Sequence, residues 1–150
     1  MNLDKKYEDL VLNVSIKAAL ASYYFIGKND KINADKAAVD SMRTELNKIT
    51  MSGKVVIGEG ELDEAPMLYI GEKLGKGSGP EIDIAVDPLE GTNFVAKNLP
   101  GALSVIAISG KNNLFNAPET YMQKIASNVN QKDVVDLDFS IKKNIFNLAE

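Results

Sequence analysis

Three short apolar runs, Val55–Ile57, Ile82–Val86 and Leu103–Ile108, follow two longer stretches whose apolar residues recur at helical spacing. This alternation of periods constrains the fold more than any other feature, because it demands a sheet with helices over it. The first helical stretch runs from Tyr7 to Phe25, with Leu10, Val11, Val14, Ala18, Ala21 and Phe25 on its apolar side, and Gly27 ends it. A polar loop, Lys28-Asn29-Asp30-Lys31, leads to a second helix from about Ala34 to Lys48, with Val39, Met42 and Leu46 on one face. Val55–Ile57 is a short buried strand that stops at Gly58. Asp63, with Pro66 inside the first turn, predicts a third helix that Gly75 stops. After a surface turn at Lys76-Gly77-Ser78-Gly79-Pro80, Ile82–Val86 reads as a strand broken at Pro88. Leu103–Ile108 is apolar on both faces, which predicts a central strand. Pro118–Ala126 reads as a short helix and Val134–Phe139 as a strand. Ser140 is the expected N-cap of a last helix carrying Ile141, Ile145 and Leu148.

No repeat or linker divides the 150 residues, which is the length of one ordinary domain. The last apolar stripe reaches Glu150 without a glycine stop, and a helix lacking its C-cap predicts a chain cut within that helix.

The missing residue types narrow the chemistry. With no cysteine there is no disulfide, thiol nucleophile or thiolate metal site. With no histidine there is no Ser-His-Asp arrangement and no two-His metal motif. Reactions must rest on carboxylates, Lys, Arg, Tyr, Ser and Thr, and a bound metal would have oxygen ligands, as Mg, Mn or Ca prefer. A net charge of −4 argues against nucleic acid as a partner. No apolar run reaches the ~20 residues of a membrane span. No secretory pattern follows Met1, so the expected compartment is the cytoplasm, and Asn13-Val14-Ser15 reads as a chance sequon.

Two acidic loops follow two of the strands. Ile57-Gly58-Glu59-Gly60-Glu61-Leu62-Asp63-Glu64 is one and Asp87-Pro88-Leu89-Glu90-Gly91-Thr92 the other. Both place carboxylates where strands end, and ligand sites gather at the carboxyl ends of helix-covered sheets. Pro88 fixes a turn that sends Asp87 and Glu90 to the same side, Gly91 admits close backbone approach, and Thr92 opens the next segment. Amides there suit a phosphate oxygen, and carboxylates beside an anion cradle call for a divalent cation between them. The competing reading is structural. One such loop is more often a turn former, and two together leave the readings evenly balanced. Asp35 alone is better read as a first-turn acid, Lys31 as a solvated loop lysine and Tyr121 as a core residue.

The second loop resembles the metal-binding signature of the lithium-sensitive, magnesium-dependent sugar and inositol phosphatases. Glu at position 90, together with the run from Ile57 to Leu68, is similar to class II fructose-1,6-bisphosphatase of the bacterial type. Gly27–Lys31 with Ala34-Asp35, and Phe115–Pro118 with Tyr121-Met122, extend the resemblance from about Ala18 to Leu148. It implies a layered α/β (α+β) sandwich, of which this chain would hold the first sheet-and-helix unit. It implies Asp35, Glu59, Asp87 and Glu90 as metal ligands, Glu90, Gly91, Thr92 and Tyr121 as sugar-phosphate contacts, and Lys31 as a lysine beside the phosphate; with no His available as a base, Thr92 is expected to orient the attacking water. The implied reaction is hydrolysis of the 1-phosphate of fructose 1,6-bisphosphate, with two or more Mn or Mg ions, in gluconeogenesis and glycerol metabolism. Lys36 stands where members often have Gly, and Asn93 where Arg is common. Family chains are much longer, so the chain resembles an N-terminal half. The uncovered stripe of Ile141, Ile145 and Leu148 predicts self-association, hence a homo-oligomer. Two alternatives stay open: a metal- or phosphate-binding module without turnover, and an inositol-type phosphatase, which the Gly58–Pro66 run disfavours.

Overall fold

The computed structural model describes residues 5–59, 67–115, 122–129 and 133–149. These fall into two compact units, Met1–Ala117 and Pro118–Glu150.

In the first unit, helix α1 spans Lys6–Tyr23 and α2 spans Lys31–Leu46. Tyr7, Val14, Ala18 and Ser22 form the buried stripe of α1, and Ala34, Ala38, Val39, Met42 and Leu46 that of α2. Small alanines at these contacts let the two helix axes approach closely. The α2 helix starts three residues earlier than its apolar spacing suggests, because Asp30 caps it by accepting a hydrogen bond from the Asn33 amide at 3.1 Å. The Tyr7 hydroxyl donates to the Thr50 carbonyl at 2.9 Å and ties α1 to the turn after α2.

The described residues hold one four-stranded sheet. Its strands are β1 (Ser52–Ile57), β2 (Lys73–Leu74), β3 (Glu81–Glu90) and β4 (Leu103–Gly110), in the order β2-β1-β3-β4. The β1–β3 pair is parallel and the other two pairs are antiparallel, so the sheet is mixed. Strand alternation divides its faces. Val55, Ile82, Ile84 and Val86 join the helix residues in one apolar core, while Lys54, Glu81, Asp83 and Asp87 lie on the other face. This helix-on-sheet arrangement is the α/β architecture the sequence implies.

Four expectations need correction. The helix predicted to open at Asp63 begins outside the described residues, but residues 67–75 form turns and strand β2 instead. Arg43 of α2 explains this: its Nε donates to Glu72 Oε1 at 2.7 Å and its Nη2 to the Met67 carbonyl at 2.6 Å, fastening both ends of an extended segment. Next, β3 continues through Pro88. The pairing register with β4 shifts between Asp87 and Glu90, and that irregularity accommodates a residue with no N–H to give. Third, β4 is the last strand in the described order rather than a central one, with Leu103 and Val105 exposed. Fourth, Val134–Phe139, in the second unit, makes turns instead of a strand.

In that second unit, helix α4 (Ile141–Ala149) is capped as expected, Ser140 Oγ accepting from the Lys143 amide at 3.2 Å. Asn144 then substitutes for a strand neighbour. Its side chain accepts from the Asp136 amide and donates to the Asp136 carbonyl, both at 2.9 Å. For the helix predicted at Pro118–Ala126, residues 118–121 lie outside the described set, and residues 122–126 are irregular.

Candidate active site

Two turns bring the acids together. After β1, Gly58 has no room for a side chain: a Cβ there would collide with the Leu68 carbonyl and lie 2.7 Å from Val55 Cγ1. The close approach lets the Glu59 amide donate to the Leu68 carbonyl at 3.0 Å, which turns Glu59 inward. Its Oε2 is enclosed from solvent. At the end of β3, Asp87 Oδ1 accepts from the Leu89 amide at 3.1 Å and closes a turn around Pro88. Glu90 is the last strand residue, and Gly91 follows with φ +80°, a left-handed conformation that glycine adopts without steric penalty. Helix α3 (Thr92–Ala96) then begins with Thr92, half-buried.

Asp87 is the centre of the arrangement. Its carboxyl lies within interaction range of the Glu90 and Glu59 carboxyls. Burial, then the hydrogen bond to Glu90 and the charge of Glu90, push it up from 3.8 to about 6; the Leu89 amide and Glu59 act the other way. Like charges gathered in this manner are what a divalent cation offsets.

The start of α2 is fastened beside α3. The Gly27 amide donates to the Val95 carbonyl at 2.9 Å and the Asn29 amide to the Ala96 carbonyl at 2.8 Å. Lys31 and Asp35 therefore occupy the first turns of a helix whose entry is stitched to the segment following Glu90. Asp35 is half-buried and its carboxyl is raised by burial. Lys31 is exposed. Thus Asp87 is brought beside both Glu90 and Glu59, Gly91 and Thr92 follow Glu90 in sequence, Asp35 lies on α2, and Tyr121 lies outside the described residues.

The donor chemistry suits a hard divalent cation, since every candidate ligand is a carboxylate oxygen. Among the described residues, however, no group of three or more acids is spaced to hold an ion as it stands. Sequence reasoning missed Gly58 and the Arg43–Glu72 pair as the parts that position Glu59. The glycine was visible only as a strand stop, and the ion pair joins residues 29 apart with no local signal.

Acids at the carboxyl ends of parallel β1 and β3, under a helix pair, define an α/β protein with its candidate site at the strand ends. The chain belongs to the family of bacterial fructose-1,6-bisphosphatases, glpX-encoded, which it matches over residues 6–150. It is 49% identical over 148 residues to the D-fructose 1,6-bisphosphatase class 2/sedoheptulose 1,7-bisphosphatase of Prochlorococcus marinus (strain MIT 9303), covering 99% of this chain and 44% of that protein. To the protein so named in Prochlorococcus marinus (strain AS9601) it is 51% identical over 140 residues, 93% of this chain and 42% of the relative. To the fructose-1,6-bisphosphatase 1 class 2 of Escherichia coli (strain K12) it is 48% identical over 136 residues, 91% of this chain and 40% of the relative. The chain therefore spans less than half the length of these curated relatives. No helix among the described residues is long and apolar enough to cross a membrane.

Proposed function

We propose that this chain supplies the acidic half of the active site of a class II fructose-1,6-bisphosphatase. The reaction is hydrolysis of the 1-phosphate of fructose 1,6-bisphosphate to fructose 6-phosphate and phosphate, with Mn or Mg. The observation that carries the reading is the contact of Asp87 with Glu90 and Glu59 at the carboxyl ends of two parallel strands. Glu59, Asp87 and Glu90 hold the cation, with Asp35 of α2 as a further ligand. A bound divalent ion neutralises the acids and polarises the phosphoryl group and the attacking water. Phosphoryl transfer rests on positioning and electrostatics, so a site without His or Cys suffices. Thr92 orients the water through its hydroxyl, Gly91 lets backbone approach the substrate, Lys31 offsets phosphate charge, and Tyr121 contacts the sugar phosphate.

The chain acts as a homo-oligomer in the cytoplasm. An exposed apolar row on α1, Leu12 59%, Ile16 46%, Leu20 53% and Tyr23 64% exposed, supports self-association. Sedoheptulose 1,7-bisphosphate is a second candidate substrate, because some relatives carry that activity in their names.

Calorimetric titration of the chelator-treated chain with Mn, beside a phosphate-release assay with fructose 1,6-bisphosphate, tests the reading. Binding of Mn that Asp87→Ala removes is expected. Turnover of this chain alone is expected to stay far below about 1 per second, an ordinary lower enzyme rate, because less than half of the family length is present. Mn binding without turnover, even after the remaining family length is supplied, would favour a binding module. Full phosphate release in excess chelator would refute the metal mechanism.

A further inference from the structure

At the opposite end of the same sheet lies a cavity of about 570 Å³. It opens at the amino ends of β1 and β3, and its lining includes Ser52, Lys54, Lys73, Asp83, Lys111 and Asn112. The strand register makes its charges unusual. Lys54 of β1 is directly opposite Lys73 of β2. Cross-strand partners have Cβ atoms about 5 Å apart, and like charges so placed destabilise a sheet. An acid close to both would relieve this, and two are near, but each is committed elsewhere.

Asp83 is the β3 partner of Lys54 in the register. Its side chain reaches the turn after β4, where Oδ2 accepts from the Asn113 amide at 3.0 Å and the Leu114 amide at 3.4 Å. Glu81 Oε1 takes the Lys111 ammonium at 2.6 Å. Among the described residues, no hydrogen bond or ion pair occupies the ammonium of Lys54 or of Lys73. Two adjacent ammoniums that no hydrogen bond or ion pair engages thus line a cavity of the size that holds small molecules, beside the Lys111–Glu81 ion pair and the amide-bonded Asp83 carboxylate. Ser52 and Asn112 add neutral donors to its wall.

We propose that this cavity binds the dianionic phosphate group of a small phosphate monoester, with Lys54 and Lys73 as its paired cationic contacts. Two ammoniums match the two charges of such a group, and each offers three donors to its oxygens. The site stands independently of the proposed hydrolysis, because its residues lie at the other end of β3 from Asp87 and Glu90.

The test uses the chain in excess chelator at constant ionic strength, so that no metal brings phosphate to the acidic end. Inorganic phosphate at pH 8 is the probe, with chloride as control, read by melting temperature and calorimetry. Phosphate should raise the melting temperature where chloride does not. Lys54→Met and Lys73→Met keep the alkyl stems and remove one of two repelling charges. Each should melt no lower than the parent without phosphate, and each should weaken phosphate binding at least ~10-fold. Asp87→Asn should leave the phosphate response intact. An equal response to chloride, a response surviving in both lysine variants, or variants that melt well below the parent would each overturn the proposal; the last would mean that the two ammoniums are already paired.

Discussion

Asp83 and Asp87 lie on the same strand and the same face, four residues or roughly 13 Å apart, yet they have opposite surroundings. Asp83 is buried to 5% exposure and accepts from two backbone amides of the turn after β4. Its charge is satisfied within the chain, and it organises local structure. Asp87 is less buried but faces two further carboxyls, and its own carboxyl is pushed up to about 6. Burial alone therefore does not identify a functional acid. The neighbours decide: amide donors make a structural carboxylate, and other acids make one that calls for a cation.

The strongest way to break this contrast is to remove the acidic end in a protein of full family length. Asp87→Ala or Glu90→Ala should lower phosphate release from fructose 1,6-bisphosphate by at least ~100-fold, since a metal supplies several kcal/mol of transition-state stabilisation. The melting temperature should change little, because these side chains do not belong to the apolar core. Activity within a few-fold of the parent would remove Asp87 from the chemistry.

Asp83→Ala should do the reverse. It leaves the Asn113 and Leu114 amides without their acceptor beside β4. Hydrogen bonds to charged groups contribute about 2 kcal/mol to stability. The expected loss is of that size by denaturant titration, with Mn affinity unchanged. Loss of Mn binding without loss of stability would erase the distinction between the two aspartates.

A third variant sharpens the comparison in the metal-free chain. Asp87 has a folded value near 6 against an ordinary 3.8, so folding favours its protonated form. The stabilisation is complete below about 3.8 and is lost as pH rises through about 6. Stability in chelator should therefore fall between about pH 4 and pH 7, and Asp87→Asn should flatten that fall. At pH 7.5 the variant should gain of the order of 1 kcal/mol, after allowance for solvent screening at a half-exposed site. Equal pH profiles for parent and variant would mean that the acids do not oppose one another.

Much of this was legible in the chain, and the failures have physical reasons. Helices α1 and α2 and the strands around Val55 and Ile84 follow from apolar periodicity, because each buries one face against the other layer. Glu59, Asp87 and Glu90 drew attention in the sequence because each follows a predicted strand, Glu59 and Glu90 beside a glycine and Asp87 beside Pro88. Val134–Phe139 misled because its composition suits a strand, while Asn144, eight residues beyond Asp136, takes the backbone bonds a neighbouring strand would make. Position within a sheet is equally invisible locally: the apolar composition of Leu103–Ile108 does not tell how many strands flank it, and Leu103 and Val105 are exposed. The Lys54–Lys73 pair depends on a register that joins residues 19 apart in sequence, so only the folded sheet reveals it.

The smallest expected effect concerns how α2 presents Lys31 and Asp35 beside the acidic end. Asp30 caps that helix: its carboxylate accepts from the Asn33 side chain at 2.7 Å and from the Asn33 amide at 3.1 Å. Those bonds, the side-chain one first, hold its carboxyl below the ordinary 3.8. The stabilisation is thus present above the ordinary value and is lost as pH falls through the lowered one. Asp30→Ala should melt slightly below the parent at neutral pH, and the gap should close in strong acid. Asp30→Asn should keep most of the cap throughout, since its amide oxygen still accepts. The pH course separates this acid from Asp87: losing the Asp30 carboxylate weakens the fold as pH falls, whereas protonating Asp87 strengthens the metal-free fold. A gap between Asp30→Ala and the parent that is the same at pH 7 as in strong acid would mean that the charge of Asp30 plays no part in starting α2.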